Sequence, residues 1–122
     1  MAGFLTDAWL DDLEAAAQRA ELDTKGALVL QQVIPDGPEG REVAYALVVR
    51  DGRVRLERGR VADPDLTFTQ DRATAEAIHR GDLSAQAAFM QGRLRLGGDL
   101  RAVIDRAGEL AAIDDVFASA RA

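Results

Sequence analysis

A chain of 122 residues, 48% hydrophobic and 30% charged, has room for one domain with a real core, spanning residues 1–122, and too little for two. A formal net charge of −6 repels phosphate backbones and acidic headgroups at long range, and no apolar run approaches the roughly 20 residues that span a bilayer, so neither nucleic-acid binding nor stable membrane insertion is expected. Cysteine is absent, which removes disulfides, thiolate catalysis and Cys-bound zinc, and makes a reducing cytoplasm the expected compartment.

The opening residues Met1-Ala2-Gly3-Phe4-Leu5 lack the basic region and long apolar core of a secretory leader. From Thr6 to Ala20 the apolar residues Leu5, Trp9, Leu13, Ala16 and Ala20 recur three or four apart. That spacing predicts an amphipathic helix, with Thr6 or Asp7 as its N-cap. Lys25-Gly26 closes the segment. Residues 27–34 are β-prone, and Pro35 to Gly40 read as an irregular loop.

Asp51-Gly52 lies between two alternating runs, Glu42–Arg50 and Arg53–Gly59, and supplies the positive φ angles that a type I′ hairpin needs. Folding the chain there sets Val49 opposite Val54, Leu47 opposite Leu56 and Tyr45 opposite Arg58. The other face receives Ala44, Ala46, Val48, Arg50, Arg53, Arg55 and Glu57. One side is apolar and the other charged, as a half-buried antiparallel sheet requires.

Asp65–Gln70 alternates again, with Leu66 and Phe68 on one side and Thr67 and Thr69 on the other. Asp71 caps a short helix to Arg80 that stops at Gly81, and Ser84 caps a second that ends at Gly92. Arg93–Leu96 is a last short strand. Asp99 then opens a helix carrying Leu100, Val103, Ile104, Ala107 and Ala111 on one side, and Gly108 is where it kinks or ends. Leu110, Ile113 and Phe117 extend the apolar stripe. Strands with one apolar face each must be covered by the helices on that face, so the chain is read as an α+β two-layer domain.

Little in the sequence carries reaction chemistry. His79, the single histidine, sits beside Arg80 and Gly81 and reads as a solvated or helix-capping residue. Asp11-Asp12 and Asp114-Asp115 are neighbours on helices, where adjacent side chains point about 100° apart and cannot converge on a metal or a proton. Gly92 and Gly97-Gly98 flank a strand and do not form a dinucleotide fingerprint. Arg93 and Arg95 are placed on the open sheet face, and Trp9 as a core anchor. No catalytic residue, metal site or cofactor is expected.

Two blocks carry a resemblance. Ala62-Asp63-Pro64-Asp65-Leu66-Thr67-Phe68-Thr69 is one. The other runs from Gly81-Asp82-Leu83-Ser84-Ala85-Gln86-Ala87-Ala88-Phe89-Met90-Gln91-Gly92 into Arg93-Leu94-Arg95-Leu96-Gly97-Gly98-Asp99-Leu100. Their order and spacing resemble the sterol carrier protein type 2 family: a short helix with an aromatic and a bulky residue, Gln-Gly, a basic/apolar strand, then Gly-Asp opening the last helix. The likeness covers about residues 25–107. Ala85 stands where that family often has proline, and the chain finishes Ser-Ala-Arg-Ala with no peroxisomal address, which argues against an organellar relative.

The resemblance implies a mixed, mainly antiparallel five-stranded sheet with helices on one face. It also implies an apolar ligand, such as a fatty acyl chain, isoprenoid or sterol, held between the layers. Carried over position by position, its pocket candidates are Leu66, Phe68, Ile78, Phe89, Met90, Leu94, Leu96, Leu100, Val103 and Ile104. A non-enzymatic carrier is the leading reading. The alternative is an interaction module of the same fold with a filled core, forming a homodimer or supporting a partner enzyme. Phe89 and Met90 fit plain core packing as well as a pocket wall.

Overall fold

The computed structural model describes residues 3–21, 26–111, 113 and 116. Helix α1 (Asp7–Arg19) leads to strand β1 (Leu28–Ile34), a 3-10 turn at Pro38–Gly40, and the hairpin β2 (Val43–Arg50) and β3 (Arg53–Arg58). Strand β4 (Leu66–Gln70), helices α2 (Arg72–Arg80) and α3 (Ala85–Met90), strand β5 (Leu94–Gly98) and helix α4 (Ala102–Asp105) follow. Residues 107–111 are helical again, as are 113 and 116.

The five strands form one sheet in the order β3-β2-β1-β4-β5. Only β1 and β4 run parallel; the other three pairs are antiparallel. The hairpin has the expected register, with Val49 opposite Val54, Leu47 opposite Leu56 and Tyr45 opposite Arg58. Asp51 and Gly52 take φ values of 52° and 76°, the left-handed pair whose twist matches the flanking strands.

Pairing β3 with β2 and β4 with β1 obliges the β3–β4 connection to cross the sheet. It does so on the face away from the helices. Gln31, which points to that face, ties it down: its Oε1 accepts the Val61 N–H at 2.7 Å and its Nε2 donates to the carbonyls of Tyr45 (3.0 Å) and Gly59 (3.1 Å). Gln31 and Ala46 are buried beneath this crossing. The outer face therefore carries charges on β3 and β5, at Arg53, Arg55, Glu57 and Arg95, while β1 and β2 are covered beneath the crossing at Gln31 and Ala46.

The caps fall where the side chains allow. Thr6 Oγ1 accepts from Trp9 N at 3.3 Å, Asp71 Oδ1 from Thr74 N at 2.7 Å, and Ser84 Oγ from Ala87 N at 3.0 Å. Helix α1 ends at Arg19 with Ala20 as its C-cap, before the expected Lys25-Gly26 stop, of which Lys25 lies outside the described residues. Helix α2 ends on Gly81 at φ 83°. Strand β5 starts at Leu94 and includes both glycines, so Arg93 precedes it; its Nε donates to Thr74 Oγ1 at 3.2 Å. The last helix breaks at Arg106 (φ −116°, ψ 27°), two residues before Gly108, which is itself helical. Phe117, Asp114 and Asp115 lie outside the described residues.

The core divides into two halves. Over β2 and β3, α1 lays down Trp9, Leu10, Leu13, Ala16 and Ala17, all buried, against Leu47, Val49, Val54 and Leu56. Arg58 at the sheet edge forms ion pairs with Asp7 (3.8 Å) and Asp11 of α1. That half is closed. Over β1, β4 and β5 the cover is α2, the six-residue α3, the four-residue α4 and the stretch from 107 on.

Candidate functional site

Short helices faced with small side chains cannot fill the space above β1, β4 and β5. A cavity of about 510 Å³ remains there, within the range of small-molecule sites. Its floor is the inner face of three strands: Leu30 and Gln32 of β1, Phe68 and Gln70 of β4, Leu94 and Leu96 of β5. Ile78 of α2 and Ala85, Gln86 and Phe89 of α3 form one side. Val103 of α4 and Ala107, Leu110, Ala111 and Ile113 form the other. The floor residues Leu30, Gln32, Gln70 and Leu94 are buried, whereas Phe89, Val103, Ala107 and Ala111 are exposed and mark the mouth. Among the described residues no charged side chain stands on this wall.

Six of the ten residues expected from the resemblance meet at the cavity: Phe68, Ile78, Phe89, Leu94, Leu96 and Val103. The other four do not. Leu66 is wholly buried on β4, between Leu30 of β1 and Gly98 of β5, and does not reach the cavity. Met90, Leu100 and Ile104 are 77%, 59% and 80% exposed. Met90 follows Phe89, and Ile104 follows Val103, on a helix, so each is rotated about 100° from a neighbour that does face the cavity. Leu100 precedes α4 and is not held by its packing.

The glutamines are the unforeseen part of the wall. Gln32 and Gln70 both point inward and are 6% exposed each, and Gln70 Nε2 donates to Gln32 Oε1 at 2.5 Å. Behind them lies a second, small chamber of about 30 Å³ lined by Phe4, Trp9, Tyr45, Ala75 and His79 as well as the two glutamines and Ile78. Burial pushes the Tyr45 phenol well above its usual range, so it stays protonated.

His79 is half-buried in an aromatic cage rather than standing free in solvent as expected. It stacks on Phe4 (centroids 5.3 Å apart), meets the edge of Trp9, and its Nε2 accepts from Trp9 Nε1 at 3.4 Å. The residues that cage it arrive from about 70 positions away in the sequence, which is why local context could not place it. Trp9 is buried as expected. Asp11 and Asp12 are exposed. Among the described residues no cluster of three or more His, Cys, Asp or Glu could hold a metal, and no helix is long and apolar enough to cross a membrane.

The model of the SCP-2 sterol transfer family matches residues 8–106. That match includes α1, which the sequence blocks had left outside the likeness. The sterol carrier protein 2 of Gallus gallus is 30% identical over 67 residues, and that of Bos taurus 28% over 67. Each alignment covers 55% of this chain and 12% of the relative, so the chain corresponds to a small part of those longer proteins. A crystal structure of sterol carrier protein 2 superposes with a TM-score of 0.72 over 98% of both chains at 22% identity. Palmitated SCP2L2 of Aedes aegypti gives 0.64 at 20% identity, covering 86% of this chain and 92% of that one. A double mutant of the sec-alkyl sulfatase PisA1 gives 0.62 at 25% identity, covering 82% of this chain and 15% of the enzyme.

Proposed function

Because the chain belongs to the SCP-2 sterol transfer family, we propose that it is a non-enzymatic carrier of a lipid-like ligand, held in the cavity between β1-β4-β5 and the helices. Lipid or sterol binding and transfer is the general property of that family. The ligand is a fatty acyl, isoprenoid or sterol-like molecule, and the whole chain, 1–122, acts as one such domain in the cytoplasm.

The observation that carries the reading is the cavity of about 510 Å³ with a mainly aliphatic wall and no charge on it among the described residues. An apolar site of that kind favours an apolar guest over water. Each buried CH₂ contributes about 0.8 kcal/mol, so about ten of them supply ~8 kcal/mol, the micromolar range, before association costs. Binding of this kind needs no catalytic group. The pocket residues proposed are the six expected ones on the wall, joined by Leu30, Gln32, Gln70, Leu110 and Ile113.

A second reading, a module serving a partner enzyme, is favoured by one observation: the PisA1 sulfatase holds a domain of this fold as 15% of its chain. Native mass spectrometry of protein purified from cells, followed by solvent extraction, separates the two. A co-purifying acyl or isoprenoid species supports carriage. A protein that is empty, takes up no lipid when offered it, and forms a tight complex with an enzyme contradicts it.

A further inference from the structure

The carrier reading names an apolar ligand, yet part of the buried wall is polar. We infer that the cavity takes an amphiphile with an uncharged hydrogen-bonding head, seated with that head against the Gln32–Gln70 pair. This inference rests on the proposed carrier function and narrows its ligand.

A primary amide offers two N–H donors and a carbonyl oxygen with two lone pairs. Gln32 and Gln70 satisfy each other only once, through Gln70 Nε2 and Gln32 Oε1. That leaves the Gln32 Nε2 donors and the Gln70 Oε1 acceptor without another partner among the described residues, on residues only 6% exposed and on the cavity wall. Exchanging O and N within both amides leaves the same remainder, one donor group and one acceptor. These groups open onto the cavity, and a wholly apolar guest covering them would leave them unsatisfied, a cost that aliphatic residues of similar size would not incur. The pair therefore has the form of a recognition element. A hydroxyl fits it on both counts, since it accepts from one amide and donates to the other.

The charge of the head follows from the rest of the wall. Among the described residues no Lys, Arg or His side chain lines this cavity, His79 standing in the small chamber behind the glutamines, so an ionised carboxylate at its floor would lack a charged partner on the wall. A neutral alcohol, or a protonated acid, is accepted in its place. The alkyl part then lies along Leu30, Leu94 and Leu96 and leaves past Phe89 and Val103.

Calorimetric titration with tetradecan-1-ol, tetradecanoate at pH 8 and tetradecane, each delivered from cyclodextrin, tests this on the wild type and on a Gln32→Leu/Gln70→Leu variant. The double variant is expected to bind the alcohol about tenfold more weakly, the effect of one hydrogen bond, and to bind tetradecane as well as or better than the wild type. The wild type is expected to prefer the alcohol to tetradecanoate. A second readout needs no variant: the side-chain NH₂ resonances of Gln32 and Gln70 should move with tetradecan-1-ol and not with tetradecane. If tetradecane binds but the glutamines confer no preference for the alcohol, or their resonances respond alike to both, this inference is overturned and carriage stands. If neither compound binds the wild type, both fall.

Discussion

The side-chain oxygen of Gln31 accepts the backbone N–H of Val61 at 2.7 Å, thirty positions along the chain. This bond holds the connection between β3 and β4 against the outer face of the sheet, so that β4 arrives parallel to β1 and carries Phe68 and Gln70 to the cavity floor. Replacing Gln31 by Leu removes the bond together with the amide's donations to the carbonyls of Tyr45 and Gly59. A loss of about 1–3 kcal/mol is expected in urea denaturation, with faster hydrogen exchange at the Val61 amide. Unchanged exchange at Val61 would show that the crossing is held by something else.

The two halves of the core predict different responses to the same truncation. Leu47 is wholly buried under α1, whereas Leu94 lies on the cavity wall and already has open space on one side. Leu→Ala in cores costs roughly 2–5 kcal/mol, rising with the void left behind. Leu47→Ala should fall in the upper part of that range and Leu94→Ala in the lower. Comparing the two unfolding curves decides it; equal losses would mean the space above β5 is as tightly filled as the space above β2.

Helix α2 forms one side of the cavity and depends on its cap. Asp71 sits below the usual carboxylate range because the side chain and backbone of Thr74 hydrogen-bond to it. A carboxyl lowered in this way stabilises the fold above its unfolded value of about 3.9, and that stabilisation disappears as pH falls through the lower folded value. Asp71→Ala should cost about 1 kcal/mol at pH 7, and its deficit against the wild type should shrink below about pH 4. Asp71→Asn, which keeps a cap but cannot ionise, should lie close to the wild type at pH 7. A deficit for Asp71→Ala that is constant with pH would mean the charge of Asp71 plays no part.

Strand β5 is the outer edge of the floor, and Gly98 decides how it joins β4. At φ 93°, a Cβ there would stand 2.5 Å from the Asp65 carbonyl oxygen, the group that accepts the Asp99 N–H at 3.0 Å. At Gly97 the nearest contact for a Cβ is an ordinary 3.7 Å. Gly98→Ala is therefore expected to cost well over about 1 kcal/mol and to weaken lipid binding, while Gly97→Ala changes either little. Thermal unfolding of the two single variants checks it, and parity between them would contradict the close approach.

Much of the frame was legible because its signals are local. A two-residue Asp51-Gly52 turn fixes the hairpin register by itself, and Thr6, Asp71 and Ser84 each satisfy a backbone N–H three residues on. The cavity was less so. Phe89 and Met90, or Val103 and Ile104, are equally apolar in sequence, and only the rotation of α3 and α4 separates wall from surface. The break at Arg106 escaped because Gly108 offered the stronger local reason to break. Gln31-Gln32 carried a signal that went unread: two adjacent amides within a β-prone run must face opposite sides, one beneath the crossing and one into the cavity. Gln70 ends an alternating strand on the same face as Leu66 and Phe68 and was equally visible. The cage of Phe4 and Trp9 around His79 had no local signature at all.

Isotope-filtered NOE spectroscopy, with methyl-labelled protein and unlabelled tetradecane, asks where a guest lies. Carriage between the layers predicts contacts from the alkyl chain to the methyls of Leu30, Ile78, Leu94 and Leu96, with none to Leu13 or Leu47 beneath α1. Contacts confined to the exposed Met90, Leu100 and Ile104, or no contacts at all, would contradict it.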